Sequence, residues 1–495
     1  MKKFITLAIL LSFIGINMPA QALFSSGVSE TKQMKKEAKA KQKAQEKSDK
    51  ELYKKVKSQK DLPYKKYRVA NKYDYINMPW WESFNDTYLT GYINKAMEYN
   101  FDLKIATLTV EEYFQGVKLQ MANELPHAEI GFGGGAARLP KAVERYRYDR
   151  SVSGIGFPVI ASYEADIFLK NHDKTTSAKK AFQASVSQER ATYIAIVSAV
   201  GTVYYNIVRL DKMISLQEDI VGLRKEIYEL MKLSNACGVV STSDMIKAEK
   251  SYIAGQSDLV DLKRQRIELL NQFAVLIGES PANIDTFERI SYNDINYIPN
   301  VPNEISSDVI VNRPDYLKAE AMLKKAGIDV RVAKKEFLPS IDILGLALFG
   351  AKHLGSLFTT NNAIGAIGGN ISLPLFTGGA RIANLKLNKI RMEKALRDYQ
   401  KTNLTAIQEV NDALYGAKLD NQKLNQNKEH LALETKDFSL TRQKYDQGTI
   451  SRLNVCQMQE NLLVIEKLVA SNTLDCMIDE ITLYKAVGAD GLGKK

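Results

Sequence analysis

Residues able to hold a metal or attack a substrate are scarce in this 495-residue chain, which has three cysteines and four histidines. His127, His172, His353 and His430 lie far apart, without metal-ligand spacing and without a nucleophile motif nearby. Cys237, Cys456 and Cys476 are an odd count at no metal-like spacing, so at least one thiol is unpaired within the chain. Cys456 and Cys476 are 20 residues apart on one expected helix, about 30 Å at 1.5 Å per residue, and cannot bridge each other. Each cysteine reads as a small buried hydrophobe. The Gly133-Gly134-Gly135 run is not followed by Lys-Ser or Lys-Thr, which excludes a phosphate loop, and reads as a strand or turn feature. Neither catalysis nor a cofactor is expected.

No helical run of membrane-spanning length is expected either. The apolar stretch Phe4 to Ile16 follows Lys2 and Lys3 and precedes Ala20-Gln21-Ala22; at about 13 residues it is too short to span and fits a cleaved secretory signal over residues 1–22. No cysteine follows it, so the usual acceptor for a lipoprotein acyl chain is missing.

The net charge of +11 is unevenly spread. Residues 1–75 carry 18 Lys and Arg against 7 Asp and Glu, leaving 50 of each sign in the remainder. The excess therefore sits in the signal and in a Lys-rich segment and linker over 23–79, which reads as a solvated helix or arm and argues against nucleic-acid binding by the body. The folded body is expected to start near Trp80.

Two copies of one pattern occur in that body. Asp102 precedes Ala106 by four residues and Pro126 by 24, and Asp315 precedes Ala319 and Pro339 by the same steps. Gly238 is followed at three, six and 40 residues by Ser241, Asp244 and Gly278; Gly448 is followed at the same offsets by Ser451, Asn454 and Gly488. The chain thus divides into repeat one (80–304), repeat two (305–488) and a short tail (489–495).

In repeat one a proline-free helical pattern runs from about Tyr163 to Asn235, with a stripe Tyr193, Ile196, Val200, Val203, Ile207, Leu210 and Ile214 stepping by threes and fours. The returning helix carries Met245, Ala248, Tyr252, Gly255, Leu259 and Leu262, is interrupted at Arg266, and resumes at Leu269, Phe273 and Leu276. Val455, Met458, Leu462, Ile465 and Val469 repeat the rule in the second copy. These are seams of antiparallel coiled-coil hairpins.

Period-two runs with ample glycine stand between the helices. Ile341, Ile343, Gly345, Ala347 and Phe349 alternate in one, and Ile367, Gly369, Ile371 and Leu373 in another. In repeat one, Ala128, Ile130 and Phe132 precede a Gly-rich turn and then Ser151, Ser153, Ile155 and Phe157. Pattern alone fits a membrane β-strand or a buried soluble hairpin equally well. Context favours the membrane: four strands cannot close on themselves and an open edge in lipid is costly, whereas three chains supply twelve strands and close the sheet. The expected fold is α+β and mainly α, with coiled-coil hairpins forming a trimeric α-barrel and four strands per chain completing a 12-stranded β-barrel.

From Trp80 to Gly488 the chain resembles the TolC family of outer-membrane efflux proteins. The resemblance rests on Trp80-Trp81 to Phe84, Asn100 to Ala106, Arg313-Pro314-Asp315 with Ala319-Glu320, Phe337-Leu338-Pro339, Leu373-Pro374-Leu375-Phe376 with Gly378-Gly379, Tyr445 with Gly448 and Ser451, and Leu483 to Gly488. It implies a homotrimer in outer-membrane lipid, reaching into the periplasm and docking on a periplasmic adaptor linked to an inner-membrane transporter of RND or ABC type. It also implies that the turns at Gly238, Ser241, Gly448, Thr449 and Ser451 form hairpin tips that meet the adaptor. The acidic gate residues of well-known relatives fall on Asn454 and Gln457 here, with Asp244 and Lys247 at the matching offsets of repeat one, so the resemblance implies a gate without net charge. The acylated N-terminal cysteine of many relatives has no counterpart. Two alternatives are a duct for type I protein secretion and a periplasmic coiled-coil adaptor or scaffold.

Overall fold

The computed structural model describes residues 80–138, 151–282, 287–299, 301–305, 307–351 and 363–488. The expected signal, Lys-rich segment, C-terminal tail and His353 lie outside them. The described chain is mainly helical, and it forms two compact units.

The first unit holds the described parts of 114–179 and 325–392, including a sheet of five strands: β1 (His127–Ile130), β2 (Gly133–Arg138), β3 (Ser151–Glu164), β4 (Ser340–Ala351) and β5 (Ala363–Ser372). All pairings are antiparallel in the order β1-β3-β4-β5, with β2 also on β3. Where four strands were expected, five occur because one edge strand is interrupted. β1 pairs with 159–162 of β3 and β2 with 151–156, and the break falls opposite Pro158. Proline has no amide hydrogen to give a ladder, which confines it to edges and irregular pairings; here Gly131 N instead donates to the Pro158 carbonyl at 2.9 Å. The glycines 133–135 are therefore strand and not turn. They pair with Gly156, Ile155 and Gly154.

Register assigns the two faces. Residues directly opposite across a ladder share a face, so Phe157, Val159, Ala161 and Tyr163 of β3 stand with Phe349, Ala347, Gly345 and Ile343 of β4, and Ile367 and Ile371 of β5 join them. From Ile155 to Tyr163 that face is apolar apart from the tyrosine hydroxyl. The other face carries His127, Glu129, Ser162, Glu164, Ser340, Asp342, Asn370 and Ser372 among its leucines. Ten to fourteen residues in β3, β4 and β5 are enough for strands that cross a hydrocarbon layer.

The long helix of repeat one starts at Lys170 and not near Tyr163, which belongs to β3. Alternation carries the strand through Glu164, and Asp166 then caps the helix: its Oδ1 accepts from Lys170 N at 2.6 Å and its Oδ2 from His172 N at 2.8 Å.

The second unit comprises the described parts of 80–113, 180–324 and 393–488. Its helices are α1 (Thr87–Tyr99), α2 (Phe101–Ala122, shared with the first unit), α3 (Lys170–Ala236, shared), α4 (Thr242–Leu276), α5 (Asp308–Asn312), α6 (Pro314–Lys335, shared), α7 (Ala380–Asp446, shared) and α8 (Arg452–Ala486). α3 and α7 have 67 residues each, about 100 Å of helix, and α4 and α8 have 35 each, about 50 Å. The expected stripe of α3 is buried from Tyr193 to Leu210, with Ile214 half-buried.

Contrary to expectation, α3 contains a stretch long and apolar enough to cross a membrane, but two-thirds of that stretch is buried inside the protein. It is the helix whose apolar surface is consumed by core packing on several sides. Trp80 and Trp81 open that core; Trp80 stacks on Tyr484 with ring centroids 5.8 Å apart and lies over Gly201, where a Cβ would come within 2.9 Å of the indole. Tyr204, Phe273 and Phe287 complete an aromatic cluster. Cys456 and Cys476 are buried as expected, whereas Cys237 is exposed because it falls in the turn after α3, where no helix covers it.

Candidate functional site: the hairpin tips

Both long hairpins turn with the same chemistry. Gly238 and Gly448 adopt φ of +73° and +71°, a region that costs other residues steric strain. Val239 N donates to the Ser234 carbonyl and Thr449 N to the Lys444 carbonyl, closing the wide turn that ends a helix on a left-handed glycine. Three residues after each glycine a serine caps the next helix. Ser241 Oγ accepts from Asp244 N at 3.2 Å and Ser451 Oγ from Asn454 N at 3.4 Å. The hydroxyls in turn donate to Asp244 Oδ2 at 2.8 Å and Asn454 Oδ1 at 2.5 Å, so the residues six after each glycine do equivalent work. Thr449 Oγ1 donates to the Lys444 carbonyl at 2.8 Å.

Charge at the first tip is internally offset. Lys247 Nζ lies 2.8 Å from Asp244 Oδ1, and with the Ser241 hydroxyl it holds the Asp244 carboxyl below its usual range. Asp244, Lys247 and Gln457 are brought together around a cavity of about 320 Å³ whose wall also includes Arg224, Met231 and Glu460. Asn454 is not part of that wall.

Sequence reasoning missed the groups that join the two hairpins. Arg452, in the first turn of α8, grips Glu226 of α3 with both arms of its guanidinium, Nε to Oε1 at 2.7 Å and Nη2 to Oε2 at 3.1 Å. That contact draws the Glu226 carboxyl down, and burial pushes the neighbouring Cys456 thiol up. One helical turn along α8 from Gln457, Glu460 accepts from Arg224 Nε at 2.7 Å, and Arg224 Nη1 also reaches the Ser251 carbonyl of α4. Further along, Lys467 donates to Gln217 at 2.8 Å. Partners more than 200 residues apart leave no local spacing to read. No group of His, Cys, Asp and Glu able to hold a metal ion occurs among the described residues.

The chain as a whole is similar to known proteins. The family described as outer membrane efflux protein matches the chain twice, over residues 92–279 and 305–489. Toluene efflux pump outer membrane protein TtgC of Pseudomonas putida is 27% identical over 411 residues, covering 83% of this chain and 84% of that protein. Cation efflux system protein CusC of Escherichia coli O157:H7 is 24% identical over 422 residues, 84% of this chain and 89% of that one. The Campylobacter jejuni CmeC outer membrane channel superposes with a TM-score of 0.76 at 22% identity, covering 85% of this chain and 89% of its own. The open state of the Neisseria gonorrhoeae MtrE outer membrane channel gives 0.71 at 25% identity, with 82% and 90% covered. With about three-quarters of its length matched in two consecutive blocks, the chain belongs to the outer membrane efflux protein family.

Proposed function

We propose that the chain works as a homotrimeric duct. Three sheets join edge to edge into a twelve-stranded barrel in the outer membrane, and three pairs of hairpins form a helical tube in the periplasm. The observation that carries this reading is the sheet's two unlike faces combined with its outer edges, β1 with β2 on one side and β5 on the other, which have no further strand partner among the described residues. One apolar face suits lipid and the polar face a water-filled lumen, while open edges in hydrocarbon leave backbone groups unsatisfied at several kcal/mol each. Neighbouring copies supply the missing partners. The duplicated unit accounts for the paired 67- and 35-residue helices and the twofold family match. Residues 80–304 and 305–488 are its two halves.

The duct exports small molecules delivered by an inner-membrane transporter of RND or ABC type through a periplasmic adaptor, which meets the tips around Gly238, Ser241, Gly448, Thr449 and Ser451. Toluene and cations are the cargoes named for two relatives, and the pump rather than the duct selects among such classes. At the periplasmic end, rings of Asn454 and Gln457 and the offset pair Asp244–Lys247 form an entrance of little net charge.

Removing residues 345–369 tests the assembly. The variant loses most of β4 and most of β5 and is expected to lose the outer-membrane trimer and efflux activity. Trimers of this variant in the outer-membrane fraction would overturn the reading.

A further inference from the structure

A cavity of about 290 Å³ lies within the first unit, where the strands pass into the helices. Its wall draws on all three junctions: Asp166, Lys170 and Lys174 after β3, Lys335 and Glu336 before β4, and Arg381 after β5. The carboxylates in this wall all accept hydrogen bonds, and Glu164 also pairs with a cation. Asp166 gives both oxygens to amides of α3, Glu164 receives Lys170 Nζ at 2.5 Å, and Glu336 Oε2 accepts from Asn384 Nδ2 at 2.8 Å. Lys335 is likewise taken, by Asp173 Oδ2 at 2.7 Å and the Leu169 carbonyl at 3.0 Å.

Two cations remain. Lys174 acts on the Glu164 carboxylate through its charge but forms no direct ion pair, and Arg381 forms none, among the described residues; Arg381 Nη1 is buried without a hydrogen-bond partner among them. A buried guanidinium nitrogen without an acceptor is costly, and nearly all such groups in folded proteins have a partner. Guanidinium is matched in shape and charge to an oxyanion, which can accept two parallel N–H bonds, and an ammonium close by adds a point charge. At about 30 Å³ per water, the cavity has room for a group well beyond a single solvent molecule.

We propose that this cavity is an oxyanion-binding site, in which Arg381 and Lys174 hold a phosphate group. Glu164, Ser340 and Ser372 of the same wall stand on the polar face of the sheet, so on the duct reading the site faces the lumen. The binding itself does not depend on that reading. A lumen-facing site takes the phosphate from a soluble molecule in the duct; a lipid headgroup in it would mean that the site opens to the bilayer side instead.

The test uses the full-length protein purified in detergent and titrated calorimetrically with inorganic phosphate, with sodium chloride at matched ionic strength as the control. Saturable phosphate binding is expected, weakened at least tenfold in Arg381→Gln and at least threefold in Lys174→Gln, and unchanged in Arg397→Gln, an exposed cation further along α7. Native mass spectra of the same samples report the oligomeric state, so failure of the trimer and failure of the site are read separately. A retained phospholipid mass that phosphate displaces and Arg381→Gln lacks assigns the lipid source; phosphate binding without that mass assigns the soluble one. Binding no stronger than chloride, or equal in wild type and both variants, overturns the proposal. If Arg381→Gln does not assemble, Lys174→Gln decides it.

Discussion

Arg313 donates through Nη1 to the carbonyl oxygen of Ala486 at 2.5 Å, tying the residue before α6 to the last turn of α8. Its remaining nitrogens grip Asp315 Oδ1 at 3.0 Å and Oδ2 at 2.6 Å, and Glu409 Oε2 at 2.5 Å. These contacts hold the Arg313 guanidinium above its usual range despite burial and draw the Asp315 carboxyl below its own. Gly488, at φ +72°, lets the chain pass within van der Waals reach of the arginine stem.

Arg313→Ala is expected to cost about 2–3 kcal/mol, since it strips a helix-terminal carbonyl of its donor and two carboxylates of their counter-ion. Arg313→Lys recovers less than half, because an ammonium lacks the fork that meets both Asp315 oxygens while reaching Glu409 and the Ala486 carbonyl. Chemical denaturation with both variants measures this. Equal stability of Arg313→Lys and wild type would show that only the charge matters.

Across the tips, Arg452 and Glu226 fasten α8 to α3 near the expected entrance. Arg452→Glu is expected to loosen the tips and raise single-channel conductance severalfold in planar bilayers. Adding Glu226→Arg should restore wild-type conductance by rebuilding the pair in reverse. The exposed pair contributes little to stability, on the order of 0–1 kcal/mol, so the melting temperature should barely move. Conductance that ignores the reversal would remove the pair from gating.

A low-charge entrance also has an electrical signature. A charged ring in a narrow pore sets ion selectivity because the low-dielectric wall focuses its field. The wild-type channel is expected to show weak cation preference and little block by trivalent cations from the periplasmic side, with Asn454→Asp plus Gln457→Asp gaining both. Reversal potentials and titrated block measure this directly, and strong block of the unmodified channel would refute it.

The carboxyl of Asp479 on α8 is pushed up to about 7, first by burial and then by the hydrogen bond and charge of Asp420 on α7, with Asp475 adding to it. Around the pair, Asp475 is held by Arg209 of α3 and Glu480 by Tyr297. A carboxyl raised on folding binds its proton more tightly in the native state, so stability falls as pH rises from about 4 to about 7. Asp479→Asn removes that loss. The variant should melt with wild type at pH 4 and above it at pH 8, by roughly 1–3 kcal/mol after discounting for partial exposure. Parallel melting curves at all pH values would place the titration elsewhere.

Much of this architecture is legible in the sequence because it is encoded locally. The Gly238 and Gly448 turns follow from one residue that tolerates positive φ and a serine three places on, and the α3 stripe from a step of three or four. Period-two runs locate β4 and β5 to within a few residues and the start of β3, but not its end. Local rules fail where a neighbour intervenes. Glycines 133–135 read as strand or turn until β3 lies alongside with Pro158 interrupting the ladder, and the membrane-length apolar stretch of α3, which sequence reasoning did not anticipate, is recognised as core from its burial.

The elements, the repeated order of long and short helices, the turn chemistry and the family resemblance are all written in the amino-acid order, since each depends on residues a few positions apart. Which charges meet is settled by three-dimensional packing alone. Arg452 finds Glu226, Arg224 finds Glu460 and Arg313 finds Glu409 only after the chain has brought together helices far apart in sequence. The Arg381 cavity has the same origin, for its wall is assembled from three junctions that no short window of sequence contains. Side-chain pairing acts over a few ångströms of space, and along the chain that distance has no fixed length.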